Sequence, residues 1–171
     1  MKSLSASADT PLQWVQPSAF KPAYELRSGD DCLATLRFPK FFSTAVLVET
    51  AEGHWEIRQV GLWRQHIEIR REGDHLPFAT CTMGGWMWNR GTVELPKGRR
   101  LAITANCWTS RYEVATSMGE SVMVLTNKIG LKPKAELTLQ PKSASYPETP
   151  WIAGLIWYLV LLARRRAGHG G

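Results

Sequence analysis

Residues 149–166, TPWIAGLIWYLVLLARRR, restrict this chain more than any other stretch. Pro150 suits the first turn of a helix, with Thr149 or Glu148 placed to serve around the N-cap. From Trp151 to Ala163, thirteen residues carry no charge. As a helix they cover about 20 Å, well short of a hydrocarbon core of about 30 Å. The run is apolar on every face, since Trp151, Ile152, Leu155, Ile156, Leu159, Val160 and Leu162 leave no polar stripe. Such a helix must be surrounded rather than laid on a surface. Either lipid encloses it, with Arg164, Arg165 and Arg166 snorkelling and Trp151, Trp157 and Tyr158 at the interface, or strands of the same chain do.

The rest of the chain supplies those strands. Segments of period-two alternation recur about every ten residues: AYELRS, CLATLRF, TAVLVET, HWEIRQV, RQHIEIRR, LPFATCT, TVEL, RLAITAN, RYEVATS, SVMVLTN and KAELTLQ. Short Gly- and Pro-containing turns separate them, and no helical pattern interrupts. WMWN would make a twelfth strand if it pairs. A barrel of about twelve strands is too wide for its own side chains to fill. An all-apolar helix of barrel height fills it. The expected fold is therefore mainly β, a closed antiparallel barrel of about twelve strands surrounding a C-terminal hydrophobic helix at about 150–165. Residues 23–166 form this single domain. Residues 1–22, rich in Ser, Ala and Pro, read as a flexible arm, and residues 167–171, including His169, as a frayed tail.

Three stretches, YELRSGDDCLATLRFPK, GHWEIRQVGLWRQHIEIR and PWIAGLIWYLVLLARRR, resemble in pattern and order the tubby C-terminal-like superfamily, which includes the phospholipid scramblases and plant LURP-one-related proteins. The resemblance implies a twelve-stranded barrel around a hydrophobic helix. It also implies two functions: phosphoinositide binding through basic surface residues, as in tubby proteins, or calcium-dependent lipid movement, as in scramblases. The sequence departs from the scramblase pattern. It has no acidic EF-hand-like loop, its Asp30-Asp31 pair falls in a hairpin turn, and it has no palmitoylation-type cysteine cluster.

The 171 residues carry a net charge of +6, unevenly placed. Residues 1–85 hold nine Lys/Arg against ten Asp/Glu, and residues 86–171 hold twelve against five. A basic half favours anionic partners such as lipid headgroups. Cys32, Cys81 and Cys107 are widely spaced and form neither a zinc pattern nor a disulfide framework. The N-terminus lacks the apolar core of a signal peptide, which points to a reducing cytoplasm, with peripheral attachment to a membrane compatible with it.

No catalytic constellation stands out. Cys81 with His66 or His75 would make a thiol–imidazole pair, but Cys81 sits in a strand pattern typical of a buried structural cysteine. His54, His66 and His75 lack metal-ligand spacing. No metal or cofactor is expected. Two groups of cations, Lys97, Arg99 and Arg100 in one turn and Lys128, Lys132 and Lys134 in another, would form an anion site if the turns met at one end of the barrel. The cluster MGGWMWNRG offers Trp86, Trp88 and Arg90 as an aromatic rim, or as a cap over the barrel mouth touching the helix. The leading expectation is a non-enzymatic module binding anionic phospholipid headgroups or a protein partner. The alternatives are a tail-anchored, scramblase-like protein spanning the bilayer with residues 151–166, and a ligand-binding or enzymatic barrel with a pocket near residues 83–91. Nucleic acid is disfavoured, as no RNP-like or zinc motif accompanies the basic half.

Overall fold

The computed structural model describes residues 1–7, 10–40, 43–85, 88–106 and 110–169, the last by its backbone alone. Twelve strands follow one another: β1 (Leu12–Val15), β2 (Ala23–Ser28), β3 (Asp31–Arg37), β4 (Ala45–Thr50), β5 (Gly53–Val60), β6 (His66–Arg71), β7 (Ala79–Gly84), β8 (Arg90–Glu94), β9 (Arg100–Asn106), β10 (Arg111–Thr116), β11 (Ser121–Lys128) and β12 (Lys134–Leu139). Each pairs antiparallel with its neighbours in sequence, and β12 closes on β1, so the sheet is an up-and-down barrel without an open edge. Alternation sets which residues face inward. Val46, Val48 and Thr50 of β4 are buried, as are Ile67 and Ile69 of β6, while the residues between them reach solvent.

One helix, α1 (Thr149–His169), runs through the barrel. Every residue from Trp151 to Leu162 is buried, including the expected core residues Ile152, Leu155, Ile156, Leu159 and Val160. Strand side chains therefore take the place that lipid or a partner would otherwise fill. Among the described residues no helix is long and apolar enough to cross a membrane, so the spanning alternative is withdrawn. The helix outlasts the expected 150–165 because its final turns need no enclosure: Ala163, Arg166, Ala167 and Gly168 are exposed at the barrel mouth. At its start the Ile152 amide donates to the Glu148 carbonyl (3.0 Å), and the Thr149 hydroxyl donates back to Ser143 O (2.7 Å) instead of capping.

The arm differs most from expectation. Residues 1–22 are not a loose appendage, because β1 lies among them and completes the barrel between β12 and β2. Leu12 and Trp14 are fully buried, and the Trp14 ring stacks on Trp157 of the helix at 5.8 Å with an interplanar angle of 4°. Tyr24 meets the same Trp157 edge-on at 5.7 Å. A 3-10 turn at Leu4–Ser7 precedes β1 and buries Leu4. The twelfth strand is therefore LQWV. Of WMWN, Trp86 and Met87 lie outside the described residues, and Trp88 is in the turn after β7.

Candidate functional site

Because strands alternate in direction, the turns fall into two sets. The end where α1 begins carries the β8–β9 turn, fixed there by an ion pair between Arg99 and Glu148, the residue before the helix. The end where α1 emerges carries the β11–β12, β3–β4 and β5–β6 loops. Each takes one arginine of the helix terminus. Arg164 Nη2 donates to Gly130 O (3.1 Å), Arg165 Nη1 to Ser43 O (3.0 Å) and Arg166 Nη2 to Gln65 Oε1 (3.1 Å). Arg165 also lies over the Phe38 ring at 3.8 Å, and Arg166 over Trp88 at 3.4 Å. The triple arginine straps three loops to the plug, a role beyond balancing a helix dipole.

This topology separates the two cation groups, correcting the six-residue anion site. Lys97, Arg99 and Arg100 stand at the helix-entry end, and Lys128, Lys132 and Lys134 at the helix-exit end. The entry-end group is also largely committed within the chain. Arg99 pairs with the nearly buried Glu148 carboxylate, and Arg100 with Glu94 at 3.2 Å. At the exit end, Lys128 and Lys134 are directly opposed in the β11–β12 ladder. Like charges in that position repel, and Glu136 offsets this only from 3.5 Å.

The loops give the two ends opposite character. Among the described residues, the exit-end connections, 16–22, 38–40, 43–44, 61–65, 85, 88–89, 110, 129–133 and 163–169, contain no Asp or Glu. They hold Lys21, Lys40, Arg64, Lys132, Arg164, Arg165 and Arg166. At the entry end the described connections hold Asp30, Glu52, Glu72, Asp74, Glu120 and Glu148 against Lys2, Lys97, Arg99 and Lys142. The protein's net positive charge is thus concentrated on one face.

Other sequence candidates fall into ordinary roles. Arg90 is exposed at the exit end. Trp88 is half-buried against the core beneath Arg166, with a left-handed backbone (φ 57°) that is uncommon for so bulky a residue. Trp86 and Cys107 lie outside the described residues. Cys81 is fully buried, and desolvation pushes its thiol up to about 12, which removes the thiolate a nucleophile needs. Glu49, His54 and Glu72 bring ligand atoms within 4.8 Å of one another. Sheet register explains that cluster, since Glu49 opposes His54 across β4–β5, and His54 Nδ1 lies 3.2 Å from Glu72. A cavity of about 330 Å³ opens beside the helix exit, bounded by Met83, Trp88, Tyr112, Leu159, Ala163 and Arg166.

Fold and site together define a closed antiparallel barrel plugged by its own C-terminal helix, cationic at the end where that helix emerges. The chain matches no protein family, no curated protein and no solved structure.

Proposed function

We propose that this protein is a non-enzymatic module that attaches to anionic membrane surfaces, on the cytoplasmic side, through the helix-exit end of its barrel. The observation that carries this reading is the acid-free, cation-rich set of loops at that end. A charged lipid surface attracts such a face as a whole, with each Lys or Arg near the surface worth about 1 kcal/mol. The likeness to the tubby-like proteins supports the same reading through the basic surfaces by which tubby proteins bind phosphoinositides.

The test is co-sedimentation with vesicles containing phosphatidylserine, with and without added salt. Changing Lys128, Lys132 and Lys134 together to Glu weakens binding about a hundredfold or more, and added salt weakens the wild-type protein in the same direction. Changing Lys97 and Arg100 to Glu at the opposite end leaves binding unaltered. Equal losses from both sets would refute docking through one end.

The cavity beside Met83 and Trp88 favours a second reading, a barrel that holds a small apolar molecule. Its volume sits at the low end of the usual range for ligand sites. Native mass spectrometry of the purified protein tests this by seeking a bound mass that Leu159→Trp removes.

A further inference from the structure

The exit end combines its cations with apolar side chains that have no structural work to do. Phe20, Leu62, Trp63, Ile129 and Leu131 are between 92% and 104% exposed. Among the described residues the other exposed large apolar side chains are Met1 (61%), Leu76 (80%) and Met118 (95%), all at the entry end. Single exposed apolar residues are ordinary on protein surfaces. Here, however, five occupy the tips of three loops, β1–β2, β5–β6 and β11–β12, which all point the same way. Each tip also carries a cation within two residues: Lys21 beside Phe20, Arg64 beside Trp63, and Lys132 beside Leu131.

We infer that these five side chains penetrate an anionic phospholipid bilayer to the level just beneath the headgroups, so that the barrel stands on end with its helix-exit face against the membrane. This deepens the proposed attachment and rests on it. The arrangement fits an interface where polarity changes with depth. Apolar tips enter the acyl boundary, tryptophan favours that boundary, and lysine and arginine meet the phosphates just above it. A folded protein partner would be met instead by a contiguous apolar patch. Here the apolar residues are divided among three loops, each carrying its own cation beside them in sequence. The β5–β6 and β11–β12 loops are tied to the helix terminus, whose Arg166 and Arg164 bond Gln65 and Gly130. Penetration therefore needs no refolding of the barrel.

The test uses the full chain with phosphatidylserine–phosphatidylcholine vesicles whose acyl chains are brominated near the headgroup. Bromine quenches wild-type tryptophan fluorescence, and the Trp63→Ser variant loses part of that quenching. Leu62→Ser/Trp63→Ser and Ile129→Ser/Leu131→Ser each weaken vesicle binding about tenfold per side chain removed, and they weaken what survives at high salt most. Their binding to heparin, a soluble polyanion, is unchanged. These positions are almost fully exposed, so thermal melts of the variants match wild type. If the tip variants bind vesicles as well as wild type and Trp63 contributes no quenching, while the Lys128, Lys132 and Lys134 reversal still abolishes binding, attachment is purely electrostatic and penetration is overturned. If the tip variants lose heparin binding equally, the tips are not lipid-specific and the inference falls. If wild-type protein binds no vesicle at all, both the attachment and the penetration fall.

Discussion

Gly154 lies one turn into the buried part of α1, facing β4. A β-carbon placed there would sit 2.8 and 2.9 Å from the two γ-methyls of Val48. Comfortable carbon–carbon contact begins at about 3.5 Å. Val48 is fully buried, branched at Cβ and held in the ladder opposite Leu36 and Trp55, so it has little freedom to turn away. Gly154→Ala therefore sets two effects against each other. Alanine in place of glycine within a helix gains about 0.5–1 kcal/mol. Overpacking a closed core costs about 1–3 kcal/mol. The clash wins, because neither α1 nor β4 can retreat inside a closed barrel. The expected net loss is about 1 kcal/mol, or about 2–4 °C in melting temperature for a chain of this size. A double-mutant cycle isolates the cause. Val48→Ala alone costs about 2 kcal/mol through lost burial and a cavity, and Gly154→Ala then refills part of that space. The double variant is thus more stable than the sum of the singles by about 1–2 kcal/mol. Urea unfolding followed by tryptophan fluorescence measures all four proteins. A Gly154→Ala protein as stable as wild type, or a strictly additive cycle, would refute the claim that the plug presses on β4 here.

Tyr158→Phe removes a buried hydroxyl that donates to Thr44 O and accepts the Gln59 amide at 3.2 Å, and it costs about 1 kcal/mol in urea unfolding. Burial pushes the Tyr158 phenol up to about 12, so its share of stability is complete below pH 10 and is lost between about pH 10 and 12. The Phe variant shows a shallower alkaline fall in stability over that range. Arg99→Met strands the Glu148 carboxylate, which is only 7% exposed, and costs about 2 kcal/mol, whereas Arg99→Met/Glu148→Leu recovers most of the loss in the same unfolding assay. Burial opposes the Glu52 charge, but hydrogen bonds from Ser3, Thr50 and the Leu4 amide outweigh it and hold the carboxyl below its ordinary value of 4.5. That contribution is full above the ordinary value and disappears as pH falls through the lowered one. Thermal melts of Glu52→Gln between pH 3 and 7 are therefore less acid-sensitive than wild type.

The plug was legible because its signal is local and extreme. Thirteen uncharged residues, apolar all round and too short for a bilayer, leave few ways to be enclosed. Eleven strands were legible for a similar reason, since each spans five or more residues of alternating burial between recognisable turns. β1 was not. Its four residues, LQWV, allow only two inward positions, Leu12 and Trp14, and they lie between Pro11 and Pro17 in a Ser- and Ala-rich stretch. Two alternations are too few to distinguish a strand from chance. What identifies β1 is the vacancy between β12 and β2 and the Trp157 face that Trp14 covers, and both are products of the tertiary fold.

The polarity of the barrel was hidden for a different reason. Counting charge along the chain placed the excess in the second half, yet an up-and-down barrel visits its two ends alternately, once per strand. Any window longer than a hairpin averages the ends together. Lys97 and Lys128 belong to the same basic half but stand at opposite ends, whereas Lys21 and Lys132 are more than a hundred residues apart and share one face. Once strand parity is known, the sorting needs no coordinates: odd-to-even connections such as β1–β2, β5–β6 and β11–β12 lie at one end, and even-to-odd connections such as β4–β5 and β8–β9 lie at the other. Applied to this sequence, that rule gathers the cations without acids and the exposed Phe20, Leu62, Trp63, Ile129 and Leu131 in one step. It works only if β1 is counted. Omitting that one short strand leaves the sheet open between β2 and β12, and the loop carrying Phe20 and Lys21 becomes part of an arm with no assigned end.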